Sequence, residues 1–412
     1  MPLACGVVLL ALLRTPAVGR GSHRLLDLAL VLSMAAMALQ LVPLPAGLRA
    51  RLSPAAAAYD LAMQVGAGAA GSRPLSIDPA ATLLALGVVA VTVLLFWTVR
   101  TIFHRGSVRA TIRAIAWIGL FLSPLAIVQH LMPLPYFDDV WGVTARGLRP
   151  YGPFVNRNDF AGWLIMALPL TLGYAVARMQ SRHRPGEPFE LDTVLDSNSI
   201  WLGIALCLML AGVLFSQSRS GLLGAFVALI YFAWQARDRL TTMRAVWAIA
   251  ALTLIFGVAA TFADIGALST RVQGSVSEGL AGRVAIWRQT APVVRDFWLT
   301  GTGAGTYQSV MVLYQTMSRL FNISHADNEL LQIAAEGGLL LGLPVALALA
   351  AGVRLVARRL REDRTAIFWL RAGASAGMLA LFAQNMVEMT LRVPANAVLF
   401  AILAAIAVHD GT

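Results

Sequence analysis

Residues 324–342 read SHADNELLQIAAEGGLLLG, and the chain runs on as LPVALALAAGV to residue 353. From 328 to 353 the stretch reaches the roughly 20 apolar residues that cross a bilayer core of about 30 Å as a helix. Its head is polar, with His325, Asp327, Asn328 and Glu329, and polar groups continue inside it as Gln332 and Glu336. On a helix turning about 100° per residue, Asn328, Glu329, Gln332 and Glu336 fall within about 60° of the direction of His325, on one face. Ionisable groups at a helix centre cost about 2.5–3.5 kcal/mol each on insertion scales. A stripe of this kind must therefore face protein or water. Gly337 and Gly338 beneath it permit close helix packing.

The rest of the chain agrees with a membrane reading. Of 412 residues, 58% are hydrophobic and 13% charged, whereas a soluble globule carries about a quarter charged residues. The net charge of +11 comes from arginine alone, since the sequence has no lysine. That bias has no bearing on nucleic acid, which is not an expected partner. Cys5 and Cys207 lie in apolar runs without motif spacing, which excludes a disulfide framework and a cysteine metal site.

Eleven stretches, from 2–13 to 395–408, meet or approach membrane length. The sequence thus predicts an all-α polytopic membrane protein of about eleven transmembrane helices. It forms a single transmembrane domain over 1–412, with a large extracytoplasmic loop at 263–327 that carries short helices. With alternate loops taken as cytoplasmic, 19 arginines fall in short loops on one side and 13 in longer loops on the other. The positive-inside rule then places the C-terminus in the cytoplasm and 263–327 outside.

That orientation gathers polar residues at the outer face: His130, Asn156 to Asp159, Arg219, His325, Asn385 and Glu388. In SQSRSG, residues 216–221, two apolar helices are joined by a very short turn, so Arg219 is held near the bilayer surface. Such an arginine either snorkels to headgroups or offers a planar fork to phosphate oxygens, helped by Ser218 and Ser220. In GRVAIWRQTAPVVRDFW, residues 282–298, Trp287, Ala291, Val294 and Trp298 make an apolar helical stripe, as for a helix lying along the interface. Arg283, at the entrance of that helix, is a better ligand candidate than Arg288 or Arg295.

GTGAG, residues 301–305, is not read as a nucleotide loop, because no G-x-x-x-x-G-K-[ST] run and no βαβ unit accompany it. His325 stands at a helix N-terminus, where the dipole favours a neutral ring able to accept a proton, while Asp327 and Glu329 pull the other way. The alternative is a capping role, with Ser324 and Asp327 in capping-box-like spacing. No D-x-D pair or His/Cys cluster asks for a metal, and no cofactor is expected.

SRSG at 218–221, GRVAIWRQTAPVVRDFWLTGTGAGTY at 282–307 and HADNELLQIAAEGGLLLG at 325–342, in this order around a large loop, resemble the O-antigen ligase and polymerase superfamily. NRNDFAGWL at 156–164 is similar to a further segment of that group. The resemblance implies an inverting, metal-independent glycosyltransferase. It would move a glycan from undecaprenyl diphosphate to a hydroxyl of another glycan, lipid A core or a protein. The enzyme would be multi-pass in the bacterial inner membrane, with its active site facing the periplasm. By the matching motifs, Arg219 and Arg283 would bind the diphosphate and His325 would act on the acceptor. Arg157, Asn158, Arg288, Asn328 and Glu388 are the further candidates for substrate contact. Glu329 stands where the family has an aromatic residue and Gly337 where leucine is common. Two other classes remain: a flippase for lipid-linked sugars, which predicts broken helices and ionisable groups through the full membrane depth, and a non-enzymatic scaffold of envelope assembly.

Overall fold

The computed structural model describes residues 2–14, 18–19, 21–63, 71–104, 106–132, 150–182, 196–239, 265–316 and 323–410. Among them every regular element is helical, and the only β pairings are isolated bridges, Leu44 with Arg73 and Tyr151 with Phe154. The α-helices are α1 Pro2–Leu13, α2 Arg24–Leu39, α3 Ala46–Leu52, α4 Pro54–Ala62, α5 Pro79–Phe103, α6 Val108–Leu131 and α7 Arg157–Arg182. They continue as α8 Ser197–Phe215, α9 Arg219–Ala236, α10 Ile265–Asp296, α11 Tyr307–Tyr314, α12 Glu329–Glu362, α13 Ile367–Gln384 and α14 Pro394–Val408.

Among the described residues seven helices are long and apolar enough to cross a membrane: α2 with its preceding turn, α5, α6, α7, α8, α12 and α13. The chain is a multi-pass membrane protein. Of the about eleven expected spans, α1 and α14 are shorter apolar helices of 12 and 15 residues. Helix α9 covers the expected 221–235 span but is not among the seven. The expected 245–262 span lies outside the described residues. The helix expected near 282–298 is longer than the sequence pattern indicates, because α10 extends back to Ile265 and runs for 32 residues.

The chain forms two compact units. One comprises Met1–Thr98, Gly274–Leu355 and Met386–Met389; the other comprises Val99–Gln273, Val356–Asn385 and Thr390–Thr412.

The second unit is organised by α7, whose face from Phe160 to Thr171 is buried. It packs on α13 through small residues. A Cβ on Gly173 would meet the Trp369 carbonyl oxygen at 2.2 Å, one on Gly373 the Pro169 carbonyl at 2.4 Å, and one on Gly377 the Met166 carbonyl at 2.7 Å. Lipid tails are as apolar as leucine, so membrane helices associate by such close backbone contact.

The first unit has a different organising feature, a break in α12. Gly338 has φ +53° and ψ −152° inside the helix, a combination essentially confined to glycine. The carbonyls of Ala335 and Glu336 and the N–H groups of Leu339 and Leu340 lose their helical partners there. Residues 298–303 replace them. Thr302 N–H donates to Ala335 O (3.0 Å) and Gly303 N–H to Glu336 O (3.0 Å), while Leu339 and Leu340 N–H donate to Trp298 O (2.8 Å) and Leu299 O (2.9 Å). Gln40, at the end of α2 and fully buried, closes the junction. Its Nε2 donates to Thr300 O (2.8 Å) and Glu336 O (2.9 Å), and its Oε1 accepts from Ala304 N–H (3.0 Å). Around the junction Ala36, Met37, Ala304 and Leu341 form a small apolar core.

Candidate active site

In the first unit the turn 324–328 precedes α12 and is not helical. The wheel that begins the helix at His325 is therefore corrected by one element. Asn328 ends the turn, its Oδ1 accepting from Leu331 N–H (3.0 Å) as a helix cap. The spacing of Ser324 and Asp327 does not produce the cap. The other end of the Asn328 amide donates to Met386 O (3.0 Å), which ties the start of α12 to the segment carrying Glu388.

Glu388 pairs with Arg283 of α10, so two residues 105 apart in sequence meet. Both are largely buried, and Arg283 keeps about a quarter of its side chain exposed (27%). His325 is exposed, and its Nδ1 lies 2.8 Å from Ser324 Oγ. Asp327 lies close enough to Arg283 and His325 for both to pull its pKa down, yet half-burial is the larger effect and holds it above the ordinary carboxylate value. Arg288 is exposed.

Gln332 and Glu336, the deep polar pair of α12, face protein and are 1% and 3% exposed. Gln332 Oε1 accepts from Ala326 N–H (2.8 Å), and its Nε2 donates to Glu336 Oε1 (3.0 Å). The same carboxylate oxygen accepts from Tyr307 N–H (3.2 Å) at the start of α11, where a negative group suits the helix dipole. The stripe thus fixes the turn above it. Tyr307 shares a hydrogen bond with Thr290 Oγ1 (2.6 Å). Burial, with smaller contributions from Asp327 and Glu336, pushes its hydroxyl pKa up to about 12, so it stays protonated at neutral pH.

The apolar stripe expected on α10 lies one step round. Val293 and Phe297 are in the core with Thr290 beside them, while Ala291 and Trp298 are exposed. Trp287 turns inward, its Nε1 donating to Ala326 O (2.9 Å). Four of the five amides of GTGAG are committed within the fold. Gly301 N–H donates to Phe297 O (2.8 Å), and Thr302, Gly303 and Ala304 N–H are taken by the helix break and Gln40.

In the second unit the N-termini of α7 and α9 are joined. Ser218 caps α9, accepting from Gly221 N–H (3.1 Å), and its hydroxyl donates to Asn158 Oδ1 (2.8 Å). Asn156 Oδ1 accepts from Asn158 N–H (2.9 Å), and Gln384 Nε2 donates to Asn158 O (2.9 Å). Each of the two joined helices begins with an exposed arginine, Arg157 and Arg219. A cation in the first turn is disfavoured by the helix dipole, whereas an anion there is favoured by the dipole and by the free N–H groups.

Residues 204–346, about a third of the chain, match the family described as O-Antigen ligase. Over that stretch the chain is similar to the O-antigen ligase family. No curated protein gave a match to the chain. The matched stretch takes in Arg219, Arg283, Arg288, His325 and Asn328, together with the whole helix break. Arg157, Asn158 and Glu388 lie beyond the matched stretch, and hydrogen bonds or an ion pair link Asn158 and Glu388 to residues inside it. Sequence reasoning passed over Gln40, which was legible as the lone amide closing an apolar span, since such a group needs partners in a membrane protein. It weighed Asp327 as a cap and as a charge near His325, and the left-handed backbone there was not legible.

Proposed function

We propose that the protein is a membrane glycosyltransferase that moves a glycan from undecaprenyl diphosphate to an acceptor hydroxyl at the periplasmic face of the inner membrane. The observation that carries the reading is the pair of joined helix N-termini, each opening with an arginine. Two dipole ends and two guanidinium groups make an anion site, and the permanent charge and planar fork of arginine fit diphosphate oxygens. In this reading Arg219 and Arg157 bind the diphosphate and stabilise the charge that develops on it as it leaves. By the motif that carries it, Arg283 is a further candidate ligand for diphosphate, with Glu388 orienting its fork. The reading admits a glycan, lipid A core or a protein hydroxyl as acceptor.

His325 takes the proton. The acceptor O–H bond breaks toward the imidazole, the acceptor oxygen bonds to the anomeric carbon with inversion, and the carbon–oxygen bond to the diphosphate breaks with its electron pair. The proton then passes from His325 to water. Asn328 is a positioning residue, since both ends of its amide hold the turn in place. The diphosphate linkage is already activated, and the arginines supply the positive charge, so the reading calls for no divalent cation.

The test uses the purified full chain with a lipid diphosphate-linked glycan in EDTA. Transfer by wild type, and its loss in His325→Ala, Arg219→Ala and Arg283→Ala, is expected. Full turnover in all three variants would sink the mechanism, and strict dependence on a divalent cation would sink the metal-free part.

The helix break bears on the flippase reading. In transporters, unwound carbonyls and half-helix ends are left open to bind ions and substrates. Here the freed groups of Ala335, Glu336, Leu339 and Leu340 are bonded to residues 298–303 and Gln40, so this break makes no such site.

A further inference from the structure

Asp327 has φ +48°, a left-handed conformation that side chains adopt at a cost and that aspartate and asparagine tolerate best. Its neighbours on both sides are pinned. The N–H of fully buried Ala326 is held by Gln332 and its carbonyl by Trp287, while Asn328 is held by Met386 and Leu331. Residues kept in such conformations by their surroundings cluster at functional sites. The carboxylate itself is spent on none of this. Among the described residues it has neither a hydrogen bond nor an ion pair, although the charges acting on it are Arg283 and His325.

Resting on the transfer reading above, we propose that Asp327 is the counter-charge of His325. Its carboxylate stabilises the imidazolium formed when His325 takes the proton from the acceptor, so it is a positioning residue acting through the imidazole. The geometry gives it no other task. A turn clamped at 326 and 328 leaves one rigid side chain between, half-buried where a charge acts more strongly than in water. The other ionisable groups around the turn are Arg283 from α10, Tyr307 from α11, Glu329 and Glu336 from α12, and Glu388 from the 386–389 segment. Glu388 is already paired with Arg283, Glu336 is bonded to Gln332 and Tyr307 N–H, and Tyr307 is held neutral.

The sign follows. A carboxylate beside the ring favours imidazolium and raises its pKa, so replacing it with an amide lowers the pKa. Asp327→Asn is nearly isosteric and suits the left-handed backbone, so it folds. The test is an NMR titration of the histidine rings in full-length protein in lipid nanodiscs, with His325 assigned by His325→Gln, alongside pH profiles of kcat. In Asp327→Asn the His325 pKa falls by about half a unit to one unit. The acidic limb of kcat moves down with it, kcat drops by about tenfold, and the donor KM stays unchanged. Ser324→Ala removes the Nδ1 partner without changing charge and leaves the limb in place. A His325 titration in Asp327→Asn that coincides with wild type overturns the proposal, as does an equal shift in Ser324→Ala. Wild-type turnover in His325→Ala overturns instead the transfer reading on which the proposal rests, and that outcome is read independently of the titration.

Discussion

Arg219 and Arg283 present the same guanidinium in different surroundings. Arg219 opens α9 between Ser218 and Ser220, and the adjoining Ser218 and Asn158 are hydrogen-bonded to each other. Arg283 lies within α10, is partly buried, and is paired with Glu388 while Asp327 acts on it from nearby. An arginine at a helix N-terminus adds its charge to a dipole end that already favours an anion, whereas one held by a carboxylate is oriented but partly neutralised. The two should therefore respond differently to substitution, even though they carry the same proposed task.

The largest effect is expected at Arg219. Arg219→Ala, and also Arg219→Lys, should lower turnover by about 10²–10³-fold, because a point ammonium cannot reproduce a bidentate fork. Near wild-type rates for Arg219→Lys at saturating donor would break the comparison. Arg283→Ala should cost a similar factor, but here the partner matters. Glu388→Gln should lower turnover by about tenfold in the wild-type background and by little in Arg283→Ala, the non-additivity of groups acting as a pair. Additive losses in that cycle would show that Glu388 acts for itself.

The helix break supports the site that contains Arg283 and has no counterpart at Arg219. Gly338→Ala should destabilise the protein by about 3 kcal/mol or more, since the added Cβ would lie 2.6 Å from Gly301 N and 2.8 Å from Trp298 O. Gly342→Ala, four residues on and with nothing within 4 Å of the new Cβ, should be neutral or stabilising. Equal thermal midpoints for the two variants in detergent would remove the break as a structural element. Next comes Gln40→Leu, which removes the partner of the Ala304 N–H and of the Thr300 carbonyl and leaves Glu336 O with Gly303 N–H alone, and should cost about 2–3 kcal/mol by the same measurement. The smallest effect is at the second unit's joint. Ser218→Ala removes the cap of α9 and the bond to Asn158 and should cost about 1 kcal/mol, with a larger loss of donor affinity than of turnover at saturation.

Much of this was legible one residue at a time. The apolar run 328–353 gave a membrane helix, whereas the cap that Ser218 supplies to α9 came only from the structure. Glu336 and Gln332 were expected to face protein or water, because a carboxylate and an amide in an apolar helix need partners, and the structure gives them protein. Helical periodicity failed at His325 and again on α10. A wheel assumes that the helix continues, and Asn328 starts α12 three residues after His325, with Asp327 left-handed between them. On α10 the tryptophans drew the expected stripe, yet Val293 and Phe297 fill the core and Trp298 stands outside.

The sequence by itself determined that the chain lies in a membrane, that it is helical, and that Arg219, Arg283 and His325 belong to motifs of one family. Those properties follow from local composition and spacing, which each segment carries wherever it sits. Only the tertiary structure decided that GTGAG mends a broken helix, that Glu388 belongs to Arg283, and that α7 and α9 begin at a common joint. These depend on hydrogen bonds between residues tens to hundreds apart in the chain. A freed carbonyl or a buried charge must find a partner in a membrane protein, but no local pattern says which distant residue supplies it.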